Sequence, residues 1–194
     1  MNSSAAVNGK LFWESWDSPF GKLTVSCSSK GVRELQFASG KIRANGSASR
    51  RIGEHLATRT AVEFIRAGES REPGARIARQ AIAELQEYAV GRRKRFSLPL
   101  DLQGTPFQRK VWKALCAIPY GETRSYLQIA RAAGNPRASR AVGMANHCNP
   151  VAIVVPCHRV IASDGTLGGY AGGLEMKAKM LRLENSRAQP SKIS

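Results

Sequence analysis

Leu23, Val25 and Cys27 alternate with polar positions along residues 22–29, residues 11–17 are another β-like run, and Ser18-Pro19-Phe20-Gly21 between them carries a turn's proline and glycine. Residues 32–37 repeat the pattern after Lys30-Gly31, so a small antiparallel sheet opens the chain. Residues 38–49 offer almost nothing to bury and read as a loop, and residues 50–67 predict a helix. Ile77, Ala81, Ile82, Leu85, Tyr88 and Ala89 then recur at helical spacing and stop at Gly91. Phe96, Leu98, Leu100 and Leu102 alternate with Ser97, Pro99 and Asp101, which predicts an edge strand that tolerates the proline.

After Gly104 the pattern turns helical and the loops shorten, dividing the chain into 1–104 and 105–194. Thr105 and Pro106 start a helix whose apolar stripe is Phe107, Val111, Trp112, Leu115 and Ile118. Ser125 and Gln128 have capping-box spacing, and the helix they start ends at Gly134. Asn135 and Pro136 are expected to cap a third helix over 137–146, with Arg137 and Arg140 on one face. Two short helices around a glycine turn, the second basic, are the layout of a helix-turn-helix, or of an αα-hairpin with solvated arginines. Leu174, Ala178 and Leu181 mark a last amphipathic helix reaching Glu184; an acid near a helix C-terminus is unfavourable for the dipole, so Glu184 either has a partner or sits on the surface. The fold class is α+β: a small N-terminal α/β domain with an antiparallel sheet, then a mainly helical C-terminal domain.

Charge narrows the partners. Thirty Lys and Arg against 14 Asp and Glu give +16, which favours a polyanion over an acidic protein or a membrane surface. The run Arg92-Arg93-Lys94-Arg95 is a solvated face or a DNA contact. Cys27, Cys116, Cys148 and Cys157 form no C-x-x-C pair, so neither a zinc site nor a disulfide framework is written in the spacing. Residues 1–10 lack the layout of a signal peptide and no apolar run approaches a membrane span. The expectation is a soluble protein of a reducing compartment, the cytoplasm.

The candidate chemistry lies at residues 153–161, an apolar run that delivers Cys157, His158 and Arg159 in succession. Free cysteine is commonly a small core hydrophobe, but a charged neighbourhood suits a reactive thiol, since nearby cations lower its pKa. In an extended chain Cys157 and His158 point to opposite faces, so His158 reaches the sulfur only through a turn after Pro156 or a bridging water. Gly168-Gly169-Tyr170-Ala171-Gly172-Gly173 lacks the lysine and spacing of a phosphate loop and reads as close approach to a flat ligand or a flexible connection.

Taken together, Pro156-Cys157-His158-Arg159-Val160, Gly134-Asn135-Pro136, Asn149-Pro150 and the glycine-rich loop with Leu174 resemble the O6-alkylguanine-DNA alkyltransferases, from about residue 105 to 184. Asp17-Ser18-Pro19-Phe20-Gly21 resembles the start of that family's ribonuclease-H-like N-terminal domain, and the length resembles the single-function bacterial form. The resemblance implies a monomer that binds double-stranded DNA containing alkylated guanine through the minor groove. Arg140 would fill the gap left by a flipped base, and Arg137, Ser125, Ala138 and Ser139 would join the DNA contact. Cys157 would take the alkyl group irreversibly from O6-alkylguanine, and from O4-alkylthymine, once per molecule. Glu184 would orient His158, which takes the thiol proton through a water; Tyr126 would donate to the departing base, and Asn149 would hold the turn presenting the cysteine. Tyr170, Ala171, Gly172 and Val160 would line the base pocket. No cofactor is implied, because the lesion is the alkyl donor, and the cysteine–histidine set of the mammalian form's zinc is not apparent. Ala171 stands where many members have serine, and the resemblance assigns no role to Cys148. A non-catalytic lesion-binding or regulatory helix-turn-helix protein is the rival reading, disfavoured by Cys157; a cysteine hydrolase is disfavoured by the lack of any marked oxyanion site.

Overall fold

The structure, a computed structural model, describes residues 9–37 and 62–185. Four strands form the first sheet: β1 (Gly9–Ser18), β2 (Gly21–Cys27), β3 (Val32–Phe37) and β4 (Val62–Arg66), in the order β3-β2-β1-β4. β1, β2 and β3 pair antiparallel, as the alternation predicts, with Leu23, Val25 and Cys27 of the central strand wholly buried. The loop expected over 38–49 lies outside the described residues.

The helix expected over 50–67 is not what its described end forms. Val62–Arg66 is a strand parallel to β1, with Leu11 opposite Phe64 and Phe12 opposite Ile65. A β-branched and aromatic-rich segment satisfies the open edge of β1, and that tertiary pairing outweighs weak helical periodicity. The expected edge strand over 96–102 reduces to one bridge, Leu100 to Val32, flanked by bonds from Val32 N to Pro99 O (2.8 Å) and from Asp101 N to Val32 O (2.9 Å). Pro99 can accept but has no N–H to donate, so no longer ladder forms there.

Across this sheet packs α1 (Pro73–Ala89), burying Ala78, Ala81, Leu85 and Tyr88. The second half contains α2 (Pro106–Cys116), β5 (Arg124–Ser125), α3 (Tyr126–Ala132), α4 (Ser139–His147), a 3-10 turn (Cys157–Arg159), β6 (Val160–Ile161) and α5 (Leu174–Asn185). Both capping boxes are present, Thr105 with Gln108 and Ser125 with Gln128. Trp112 Nε1 donates to Ala145 O at 2.9 Å, fixing α2 against α4.

The third helix starts later than its spacing suggests. Asn135 Oδ1 accepts from Arg137 N, so residues 135–138 form a turn and α4 begins at Ser139. Arg137 therefore stands exposed in that turn and does not share a helical face with Arg140.

One continuous apolar core runs from Phe12 and Leu23 through Leu85 and Tyr88 to Trp112, Val142 and Met180. The edge of β3 also reaches across, with Leu35 N donating to Pro150 O at 2.8 Å and Leu35 bridging Val151. The segment presenting the cysteine is thus anchored to the sheet. Among the described residues no helix is long and apolar enough to cross a membrane.

Candidate active site

Asn149 organises the approach to Cys157. Its Oδ1 accepts from Val151 N at 3.1 Å, while its Nδ2 donates to Val155 O at 2.8 Å and faces Cys157 Sγ at 3.1 Å. Inside the loop so closed, Ile153 holds a φ of 72° although it is β-branched and 1% exposed. Such a conformation is costly and persists only where its surroundings enforce it. The chain then turns: Pro156 O accepts from Arg159 N at 3.0 Å, and residues 157–159 form the 3-10 turn that brings thiol and imidazole to one region.

All three residues of the turn are buried. His158 Nε2 lies 2.8 Å from Glu184 Oε1, Arg159 Nε donates to Glu184 Oε2 at 2.8 Å, and Gly121 N donates to the same oxygen at 3.1 Å. Gly121 adopts a φ of 80°, which suits glycine and lets the turn after α2 aim its N–H at the carboxylate. Burial pushes the Glu184 carboxyl up, but hydrogen bonds from His158 and Arg159 outweigh that and bring it to about 2. An ionised carboxylate only accepts, so His158 Nε2 carries the proton and Nδ1, which has no protein hydrogen bond, keeps a lone pair. Burial also pulls the His158 pKa down, against the opposing pull of Glu184.

Burial raises the Cys157 thiol, and the groups that lower it are Asn149 and Lys177. The cation whose charge lowers the thiol is therefore Lys177; Arg159, the sequence neighbour expected to do this, is committed to Glu184 and to Ile118 O at 2.7 Å. Lys177 is fully buried on α5, donating to the carbonyls of Val160 and Leu167, and burial lowers its pKa to about 8. The sequence reading missed it, although a lysine between Leu174, Ala178 and Leu181 on an apolar stripe was a usable signal.

Tyr126, the first residue of α3, and Tyr170 in the glycine-rich loop both face the thiol; burial first, and then Cys157, raise their pKa values. Gly168 sits so close to Tyr126 that a Cβ there would lie 2.9 Å from its hydroxyl. Val160 is wholly buried beside the 3-10 turn, Gly172 is half-buried, and Ala171 is exposed. Arg140 stands exposed in the first turn of α4; Ala138 is its N-cap and Ser139 its first residue, both half-buried. Ser125 spends its hydroxyl capping α3, accepting from Gln128 N at 3.2 Å. Cys27 is a core thiol, pushed by burial to about 12, and Cys116 and Cys148 are exposed.

A second residue missed in the sequence is Tyr88 of α1, whose hydroxyl donates to Glu184 Oε1 at 2.8 Å. Its place on an apolar stripe reads as core, and its partner is 96 positions away, so no local signal announces the bond.

Fold and site together define a two-part α+β protein in which a helix-turn-helix adjoins a buried cysteine backed by a histidine–glutamate pair. Residues 11–102 match the ribonuclease-like domain of 6-O-methylguanine DNA methyltransferase and residues 106–186 match its DNA binding domain. The chain is 42% identical over 176 residues to a methylated-DNA--protein-cysteine methyltransferase of Methanosarcina barkeri, covering 91% of this chain and 98% of that one. It is 56% identical over 108 residues to the Mycobacterium tuberculosis protein of the same name, covering 56% and 66% of the two chains. The crystal structure of Mycobacterium tuberculosis OGT in complex with DNA superposes with a TM-score of 0.73 at 39% identity, covering 92% of this chain and 96% of that one. The chain belongs to the methylated-DNA--protein-cysteine methyltransferase family.

Proposed function

We propose that this protein repairs DNA by direct reversal, moving the alkyl group of O6-alkylguanine, and of O4-alkylthymine, onto Cys157 in a single irreversible turnover. The observation that carries the reading is the pairing of a buried thiol, held by Asn149 at 3.1 Å, with an adjacent imidazole tied to Glu184 at 2.8 Å. The thiol proton passes through a water to His158 Nδ1, and Glu184 stabilises the imidazolium that forms. The thiolate attacks the saturated carbon on the base oxygen; the new S–C bond forms as C–O breaks, and that bond's electron pair leaves with the base. The Tyr126 hydroxyl donates a hydrogen bond to the departing base and helps absorb its negative charge, and Lys177 offsets negative charge on the sulfur. The thioether has no leaving group to regenerate the thiol.

An alkylated base inside a duplex is out of reach of a buried sulfur, so the nucleotide must leave the stack. Exposed Arg140 is suited to occupy the gap from the minor groove, with Ala138 and Ser139 beside it at the start of α4, Arg137 in the preceding turn and Ser125 capping α3. Tyr170, Ala171, Gly172 and Val160 then border the base. The +16 net charge suits a DNA partner, and the family resemblance supports action as a monomer in the cytoplasm. A purely lesion-binding role leaves the Cys157–His158–Glu184 arrangement without a purpose.

The test mixes the protein with an equimolar duplex containing O6-methylguanine and maps it by mass spectrometry. One added methyl on the Cys157 peptide, absent in Cys157→Ser, is expected; tight binding without transfer would leave the non-catalytic reading in its place.

A further inference from the structure

Glu184 Oε1 is crowded. It accepts from His158 Nε2 at 2.8 Å, from Tyr88 Oη at 2.8 Å and from Arg159 Nη2 at 3.0 Å. Tyr88 Oη also lies 3.5 Å from His158 Nε2. Tyr88 is the contribution of the sheet-bearing half of the chain: it sits near the end of α1, wholly buried, while the groups it touches belong to the 3-10 turn and to α5. Its ring is hemmed in by Phe20 at 6.2 Å, Phe96 at 5.6 Å and Tyr120 at 6.2 Å between centroids. Four aromatic rings drawn from both halves of the chain therefore fix one hydroxyl.

We infer that Tyr88 is a positioning residue for alkyl transfer, its hydroxyl pinning Glu184 Oε1 and the Nε2–H of His158 so that Nδ1 remains the base directed toward Cys157. The inference rests on the alkyltransferase reading and deepens it by giving the N-terminal half a part in the chemistry. Burial and the neighbouring Glu184 charge raise the phenol well above its ordinary pKa, so the hydroxyl is a donor throughout the neutral range. Because it donates, it accounts for part of the Glu184 charge and leaves less for the imidazole. Because its oxygen also lies beside Nε2, the ring meets an acceptor there and not a donor, which disfavours the tautomer with Nε2 bare.

The charged and titratable groups facing His158 are Glu184 and Lys177 from α5, Arg159 and Cys157 from its own turn, and Tyr88 from α1, with Tyr120 behind Glu184 and Arg159. Among these groups Tyr88 is a side chain bonded to Glu184 that can be stripped of its hydrogen bond without altering a charge or the alkyl acceptor. Tyr88→Phe keeps the packed ring and leaves Glu184 its bonds from His158, Arg159 and Gly121. With one donor gone the carboxylate holds the imidazole proton more strongly, His158 becomes more basic, and more acid is trapped on the ring that must accept the thiol proton. The acid limb of the rate profile therefore moves to higher pH.

The experiment measures single-turnover transfer from O6-methylguanine duplex at saturating DNA across the pH range, with DNA affinity and imidazole 15N shifts recorded on the same full-length proteins. Tyr88→Phe is expected to bind DNA as wild type does and to transfer on the order of tenfold more slowly, the worth of one hydrogen bond to a charged group. Its acid limb is expected at higher pH, with the 15N shifts of His158 titrating at higher pH in step with it. A second variant guards against misfolding: 3-fluorotyrosine at position 88 keeps ring and hydroxyl, strengthens the donation, and should move the acid limb the opposite way. An unchanged rate and profile in both, or a slower rate with an unmoved acid limb, would overturn the inference. Failure of the wild-type protein itself to transfer the methyl group would sink the alkyltransferase reading instead.

Discussion

Glu184 Oε2 and Arg159 Nε meet at 2.8 Å in a place where Glu184 is 6% exposed and Arg159 6% exposed. Arg159 Nη2 also reaches Oε1, the oxygen 2.8 Å from His158 Nε2, at 3.0 Å, so one guanidinium fixes both oxygens of the carboxylate that meets the imidazole. A buried pair is costly to break, because removing one partner strands the other. Glu184→Gln should therefore lose about 3 kcal/mol of stability, read by urea unfolding, and slow transfer on the order of 10²-fold, read by single-turnover kinetics.

The same carboxylate sets an acid-stability window. Its folded pKa of about 2 lies below the ordinary glutamate value of about 4.3, so the stabilisation is fully present above about pH 4.3 and is lost as pH falls toward 2. Unfolding free energies measured through that window should fall steeply in wild type and less steeply in Glu184→Gln.

Lys177 makes a separate electrostatic contribution. Lys177→Met removes the cation that lowers the Cys157 thiol, so that less of it is thiolate at neutral pH. Alkylation of Cys157 by iodoacetamide at neutral pH should slow, with the midpoint of its pH profile moved upward; an unmoved midpoint would remove Lys177 from the account of the thiol.

Arg140 is expected to matter only when a base must leave a duplex. Arg140→Ala should slow repair of O6-methylguanine in duplex DNA on the order of 10²-fold, the scale of a few kcal/mol of unstacking, and leave the reaction with the free alkylated base nearly unchanged. Equal losses on both substrates would end the flipping role.

Gly168 tests the placement of Tyr126. It adopts a φ of 61°, and an added Cβ would lie 2.9 Å from the tyrosine hydroxyl. Gly168→Ala should cost about 1–2 kcal/mol in backbone strain and displace Tyr126, slowing transfer while DNA affinity, measured by fluorescence anisotropy, stays as in wild type.

Much of this protein is fixed by local chemistry and is legible in the chain. Alternation marks the three antiparallel strands, the Thr105–Gln108 and Ser125–Gln128 spacings set two helix starts, and the motif around Pro156-Cys157-His158-Arg159 points to its family. Each of these signals lies within a few residues of what it specifies. Tertiary structure decided the rest. The open edge of β1 made a strand of Val62–Arg66, a side-chain turn at Asn135 delayed α4, and long-range packing chose Lys177 over Arg159 as the cation that lowers the thiol. Tyr88 shows the division most sharply. The sequence marks it as a core aromatic, but only the fold places its hydroxyl against a carboxylate 96 residues away, because a stripe of apolar positions records which side of a helix is buried and not which polar atom awaits there.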